Sequence, residues 1–358
     1  VRAELFTQAT RVVVKLGTGV LTDAQKQIAL PQMEQLVAQV AAQCAEGRQV
    51  VVVSSGAVGA GMGTLGLAKR PREVAELQAC AAVGQTRLMA TYEALLARHG
   101  RHVGQVLLTH EDLRHHDRHL NARNTLVKLL ERGVVPVINE NDTVSFTELK
   151  FGDNDRLSAL VATLLPADLL VILTTVEGLM RNFGSQDSQV ISSIREIDDL
   201  VEQTAGGTAS ATAVGGMAAK IEAARITMRA GIPMVIASGH RTDVLQQILA
   251  GAEVGTMFIP RPQKLKGRKR WIAFFHHPKG TLHVDDGAKK ALRENGKSLL
   301  PPGITRAEGA FAAGDIVRIC DGNGTEFARG LARHSARDVA DRLRPREVVV
   351  HRNDMVVL

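Results

Sequence analysis

Aromatic side chains make up only 3% of these 358 residues, with a single tryptophan and a single tyrosine. That scarcity argues against base-stacking surfaces of the RRM kind, which need exposed Phe or Tyr. Cysteine is scarce too: Cys44, Cys80 and Cys320 lie far apart and share no C-x-x-C spacing. No disulfide framework or zinc pattern fits, and buried reduced thiols are expected. No apolar run approaches the roughly 20 residues that a bilayer-spanning helix needs. The opening stretch VRAELFTQATRVVVKLG lacks the charged, apolar, small-residue order of a secretory signal and leads straight into a strand. A cytoplasmic protein with no membrane partner is expected.

What is present is an ordinary globular composition, 45% hydrophobic and 23% charged. The length exceeds what one core usually organises, so two domains are expected. A net charge of +7 with pI near 9.5 favours anionic partners, nucleic acid or small substrates, without choosing between them.

Short β-branched runs alternate with longer amphipathic stretches. RVVVKLG, QVVVVSSG, VGQVLLT, VVPVINEN, DLLVILTT and PMVIAS read as strands. ALPQMEQLVAQVAAQCAEG, VAELQACAAVGQTRLMATYEALLARHG, NARNTLVKLLERG, DRLSALVATLL and GGMAAKIEAARITMRAG read as helices. Nearly continuous Val/Ile strands in such alternation predict an α/β fold, an open, mainly parallel sheet sandwiched by helices. Ligands of these sheets bind beyond the carboxyl ends of the strands. After Ile259 the composition changes. PRPQKLKGRKRW reads as a basic linker, 261–275, between a first domain, 1–260, and a small β-rich domain, 276–358.

Four segments have the makings of a site. In VVVKLGTGVLT, Lys15 ends a strand before Gly17, Thr18 and Gly19. A tight glycine turn lets backbone N–H groups approach an anion beside a fixed ammonium, and an ordinary strand-to-helix turn explains it equally well. In VVVSSGAVGAGMGTLGL, Ser54, Ser55 and Gly56 follow a buried strand, and Gly59, Gly61 and Gly63 fit either a loop over a ligand or close packing. INENDTVSFTELKFGDND gathers Asn139, Glu140, Asn141, Asp142, Asp153, Asn154 and Asp155. A solvated turn gains only repulsion from that clustering. Near a cationic centre the same acids bind a substrate ammonium or hold lysines. In AVGGMAAKIEAA, Gly215 and Gly216 precede a predicted helix that carries Lys220 in its first turns, where phosphate is favoured.

These segments, with AAVGQTRL, GQVLLT and LNARNTL, come in an order that resembles the amino acid kinase family, and the tail SLLPPGI, GDIVRI and VVVHRNDM resembles a PUA domain of small-barrel form. The resemblance implies ATP-dependent phosphorylation of the L-glutamate γ-carboxylate, giving γ-glutamyl phosphate for proline synthesis. It implies that Lys15 and Lys220 neutralise the transferring phosphoryl group and that Asp155 holds both. Gly17, Thr18, Gly19, Thr174, Thr175, Gly215, Gly216 and Met217 complete the ATP side. Ser55, Gly56, Asn139, Asp142 and Asn154 take glutamate, with Asp142 on its α-ammonium. Mg²⁺ is expected to come with ATP, with no metal ligand from the chain. Proline as feedback inhibitor, a homodimer or homotetramer, and RNA at the PUA domain are further implications. The chain departs from the family on the nucleotide side. Thr175 stands where an Asp is usual, MRNFGSQ replaces YTADP, and TAVGGM replaces GTGGM. The alternative expectation is therefore a catalytically impaired homologue that acts as an RNA-binding or sensor protein.

Overall fold

The computed structural model describes residues 2–23, 27–145, 154–182, 187–205, 211–260, 269, 272–273, 278–341, 344 and 346–358. Contacts divide the chain into Val1–Gln263 and Lys264–Leu358. Most of the expected linker, 261–275, lies outside the described residues, as does Asp153.

Among the described residues the first unit carries ten short strands. They are β1 (Arg11–Leu16), β2 (Gln49–Ser54), β3 (Val103–Leu108), β4 (Val135–Glu140), β5 (Leu169–Thr174), β6 (Met180–Arg181), β7 (Gln189–Val190), β8 (Ser193–Ile194), β9 (Met234–Ser238) and β10 (Thr256–Phe258). Eight of them form one sheet in the order β3-β4-β2-β1-β5-β9-β10-β8, while β6 pairs with β7. All neighbours in the large sheet run parallel except β9 and β10. That antiparallel step, and the separate hairpin, went beyond what the alternation predicts.

Burial on both faces explains the unbroken valine runs. Val12, Val14 and Leu16 of β1 join Val50 and Val52 of β2 in a core with Met33, Leu36, Leu88 and Tyr92 from the helices Leu30–Ala45 and Val74–Ala97. By strand alternation Val13 and Lys15 point the other way. On that side the helices Asn154–Leu164 and Ala211–Arg229 pack against each other, and the first of them packs on β1, β2 and β5. The neighbours of β1, β2 and β5, lie on opposite sides of it. The chain thus reverses its direction of sheet growth at β1, and it is beyond the strand ends at such a point that sheets of this kind bind ligands.

The glycine-rich stretch after Ser55 is a helix, Ala57–Thr64, and not a loop. A Cβ at Gly61 would lie 1.8 Å from the Cys80 carbonyl oxygen, and one at Gly84 1.8 Å from that of Ala57. The two helices therefore meet backbone to backbone, and packing is what these glycines serve. All three cysteines are free, and burial pushes each thiol up, as expected of inert reduced thiols.

The second unit carries β11 (Gly280–Val284), β12 (Ile304–Glu308), β13 (Ile316–Cys320), β14 (Glu326–Ala332) and β15 (Val350–Val357), ordered β12-β11-β13-β14-β15. Only β11 and β13 pair in parallel. Its own core includes Leu282, Val317, Ile319, Phe327 and Val350. Among the described residues no helix is long and apolar enough to cross a membrane.

Candidate active site

At the carboxyl end of β1 two ammonium groups share one carboxylate. Lys15 Nζ lies 2.7 Å from Asp155 Oδ1, and Lys220 Nζ lies 2.9 Å from Asp155 Oδ2. Three elements far apart in sequence supply them: β1, the start of the helix Asn154–Leu164, and the helix Ala211–Arg229. All three side chains are buried, at 4% exposed for Lys15, 3% for Asp155 and 7% for Lys220. Burial alone would push the Asp155 carboxyl up, but the charges and hydrogen bonds of the two lysines outweigh it and hold the group below the ordinary carboxylate range. Among the described contacts two cations face one anion, an excess of positive charge. A buried net positive centre is the electrostatic complement of a transferring phosphoryl group.

Lys220 also donates to the Gly216 carbonyl at 3.1 Å. This corrects the expectation that Gly215 and Gly216 precede the helix. The helix begins at Ala211, so both glycines lie inside it and their N–H groups are not a free helix N-terminus. Met217 is half-buried on the same helix. On the other flank, Gly17 is buried and caps the short helix Thr18–Leu21, and its N–H donates to the Leu173 carbonyl at 3.0 Å. A Cβ at Gly17 would sit 3.5 Å from Lys15 Nζ, and one at Gly19 2.8 Å from Thr175 Cγ2. Bare backbone here keeps the approach to Lys15 open and sets the turn against the end of β5, where Thr174 is half-buried and Thr175 exposed. Residues 183–186 of the divergent MRNFGSQ segment lie outside the described residues.

One residue before Asp155, Asn154 anchors a second group of side chains. Its Nδ2 donates to the Ser54 carbonyl at 2.9 Å, to Asn139 Oδ1 at 2.9 Å and to Ser55 Oγ at 3.2 Å. Asn139 Oδ1 also accepts the Glu140 backbone N–H at 2.9 Å. Because Ser55 Oγ accepts from Asn154, its own O–H remains a donor. Gly56 follows with φ +99°, a left-handed turn that suits glycine and starts the helix Ala57–Thr64. Asp142 lies two residues past β4 and, with Glu140, Asn141, Gln85 and Gln105, lines a cavity of about 650 Å³. Neither Lys15, Asp155 nor Lys220 lines that cavity.

Two residues that the sequence reading left without a role stand behind this group, both on the helix Val74–Ala97. Gln85 Oε1 accepts from Asn139 Nδ2 at 2.8 Å, and the Tyr92 hydroxyl lies 2.9 Å from Ser54 Oγ. Burial pushes the Tyr92 hydroxyl up, so it stays neutral. Gln85 was visible within AAVGQTRL, and Tyr92 as the sole tyrosine. Their partners lie 54 and 38 residues away, which no local pattern signals.

Among the described residues no group of three or more His, Cys, Asp or Glu side chains is placed to hold a metal ion. Both oxygens of Asp155 face ammonium groups.

Comparison with known proteins matches residues 10–238 to the amino acid kinase family and residues 280–353 to the PUA domain. The chain is 44% identical to glutamate 5-kinase of Pelobacter propionicus, with 100% of each chain covered. It is 45% identical to glutamate 5-kinase of Moorella thermoacetica, over 99% of this chain and 97% of the other. For the enzyme of that name from Methylococcus capsulatus the figures are 47% identity, 92% and 88%. The structure of carbamate kinase from Giardia lamblia bound to AMP-PNP superposes with a TM-score of 0.52 at 19% identity, covering 71% of this chain and 100% of that one. At that identity the likeness speaks for the fold alone.

Proposed function

The chain belongs to the amino acid kinase family, and within it to the glutamate 5-kinases; from that membership we propose that it transfers the γ-phosphoryl group of ATP to the γ-carboxylate of L-glutamate. A carboxylate oxygen attacks the γ-phosphorus, the bond to the β,γ-bridging oxygen breaks, and γ-glutamyl phosphate and ADP result. No general base is needed, because the nucleophile is already ionised at neutral pH.

The observation that carries this reading is the buried Lys15–Asp155–Lys220 triad. Such transfers are catalysed mainly by positioning and by charge placed where charge develops. Lys15 and Lys220 supply that charge, and Asp155 holds them a fixed distance apart. Lys15 and the Gly17–Thr18–Gly19 turn stand on the nucleotide side with Thr174, Thr175 and the Gly215–Met217 stretch. On the acid side Ser55 donates to a glutamate carboxylate, Asn154 and Asn139 fix its orientation, Gly56 keeps the approach open, and Asp142 takes the α-ammonium. Mg²⁺ is brought by the phosphates of ATP.

A hydroxamate assay with glutamate, ATP, Mg²⁺ and hydroxylamine tests the reading. Product is expected with glutamate and not with aspartate or N-acetylglutamate. No product from any of the three refutes a kinase, and product from another acid alone refutes glutamate. Four further implications of the family belong to the same proposal. They are inhibition by proline, tested by competition against glutamate, and a dimer or tetramer, tested by light scattering. RNA binding by the PUA domain is tested over a salt series, and cytoplasmic residence by fractionation.

A further inference from the structure

We propose that Gln85 is a positioning residue that fixes the orientation of the amides in the glutamate half of the site. The inference rests on the reading of Asn139 and Asn154 as glutamate-binding residues.

Amide side chains are useful only if oxygen and nitrogen face the right way, and here each orientation is set by its neighbour. The Glu140 backbone N–H can only donate, so the Asn139 atom it meets at 2.9 Å must be Oδ1. That oxygen then takes the Asn154 Nδ2. The Ser54 carbonyl, which can only accept, agrees with the same assignment for Asn154. Asn139 Nδ2 is therefore a donor on a side chain only 1% exposed. Its hydrogen-bond partner is Gln85 Oε1 at 2.8 Å. Without that acceptor, Asn139 would keep a buried N–H without a partner, a state side chains escape by rotating. Rotation would withdraw Oδ1 from Asn154 and leave its amide held only by the Ser54 carbonyl and the Ser55 hydroxyl.

The other end of Gln85 argues the same way. Its Nε2 is buried and has no hydrogen-bond partner among the described residues. A side chain kept for packing alone is better served by leucine, which carries no such orphan. The polar contact this glutamine does make is through its acceptor, Oε1, to Asn139.

The test measures KM for glutamate and for ATP, kcat and Tm in Gln85→Leu, Asn139→Ala and the double variant. Gln85→Leu is expected to raise the glutamate KM about tenfold, the scale of one lost buried hydrogen bond, with kcat falling less than KM rises. The ATP KM stays within about twofold, since the nucleotide side is untouched. Tm changes little, because one buried orphan replaces another. The double variant matches Asn139→Ala alone, since Gln85 acts through Asn139. An unchanged glutamate KM in Gln85→Leu, an equal rise in the ATP KM, or effects that multiply in the double variant each overturn the proposal. An Asn139→Ala variant with unchanged glutamate KM overturns the glutamate-site reading and this proposal with it. If Gln85→Leu fails to fold, Gln85→Met, unbranched like glutamine, is read against the same outcomes.

Discussion

Replacing Asp155 by Asn removes one charge and almost no volume, so it isolates what the carboxylate does for the two lysines. Oδ1 faces Lys15 at 2.7 Å and Oδ2 faces Lys220 at 2.9 Å. Whichever way the asparagine amide turns, its NH₂ group meets an ammonium, donor against donor. Two buried cations then lose the carboxylate they share. Breaking a buried pair in this way costs about 3–5 kcal/mol, against a total stability of about 5–15 kcal/mol for a typical domain. The structure relieves this by expelling a lysine or by deprotonating it, and either response removes positive charge from the phosphoryl position. We expect kcat to fall by at least about a hundredfold and Tm to drop by several degrees. The pH dependence follows from the sign of the shift. The Asp155 carboxyl is held below its ordinary value in the folded chain. Its contribution to stability is therefore full above the ordinary carboxylate range and is lost as pH falls through it towards the folded value. The stability gap between wild type and Asp155→Asn should be widest near neutrality and close on acidification. Hydroxamate kinetics and thermal melting at several pH values measure both. A variant with wild-type kcat and Tm at neutral pH would refute the claim that one carboxylate holds both lysines.

Lys220→Ala should lower kcat by about a hundredfold or more and move the glutamate KM far less, because its charge is needed most in the transition state; steady-state kinetics in both substrates decide it. Asp142→Ala should raise the glutamate KM about tenfold while sparing the ATP KM, the scale of a lost charge-assisted hydrogen bond. Equal damage to both constants counts against its role at the α-ammonium. Gly84→Ala would put a Cβ 1.8 Å from the Ala57 carbonyl oxygen. It should cost about 3 kcal/mol in urea unfolding, since backbone cannot give way as a side chain can.

The parallel sheet was legible because its strands are buried on both faces and spell themselves as valine and isoleucine runs. β1, β2, β4, β5 and β9 all fall within predicted strands. Lys15 and Asp155 were legible as candidates because they sit at the end of a strand and the start of a helix. Their meeting with Lys220, 65 residues beyond Asp155, is a property of topology, and only the family resemblance brought it forward. Glycine left its role open in the sequence: Gly61 fitted a loop or close packing and serves packing, whereas Gly215 and Gly216, expected to precede a helix, continue one. The support behind Asn139 and Ser54 went unseen because Gln85 and Tyr92 sit on a helix whose pattern is only amphipathic, and their partners come from distant strands.

Asn154 and Asp155 are neighbours in the chain, yet the first is proposed for the amino-acid side while the second holds the lysine pair. Consecutive Cα atoms stand about 3.8 Å apart and the link between them is planar and stiff. Recognition and chemistry are thus soldered together by a single peptide unit. On the proposed roles, any displacement of Asn154 would carry the anchor of both cations with it.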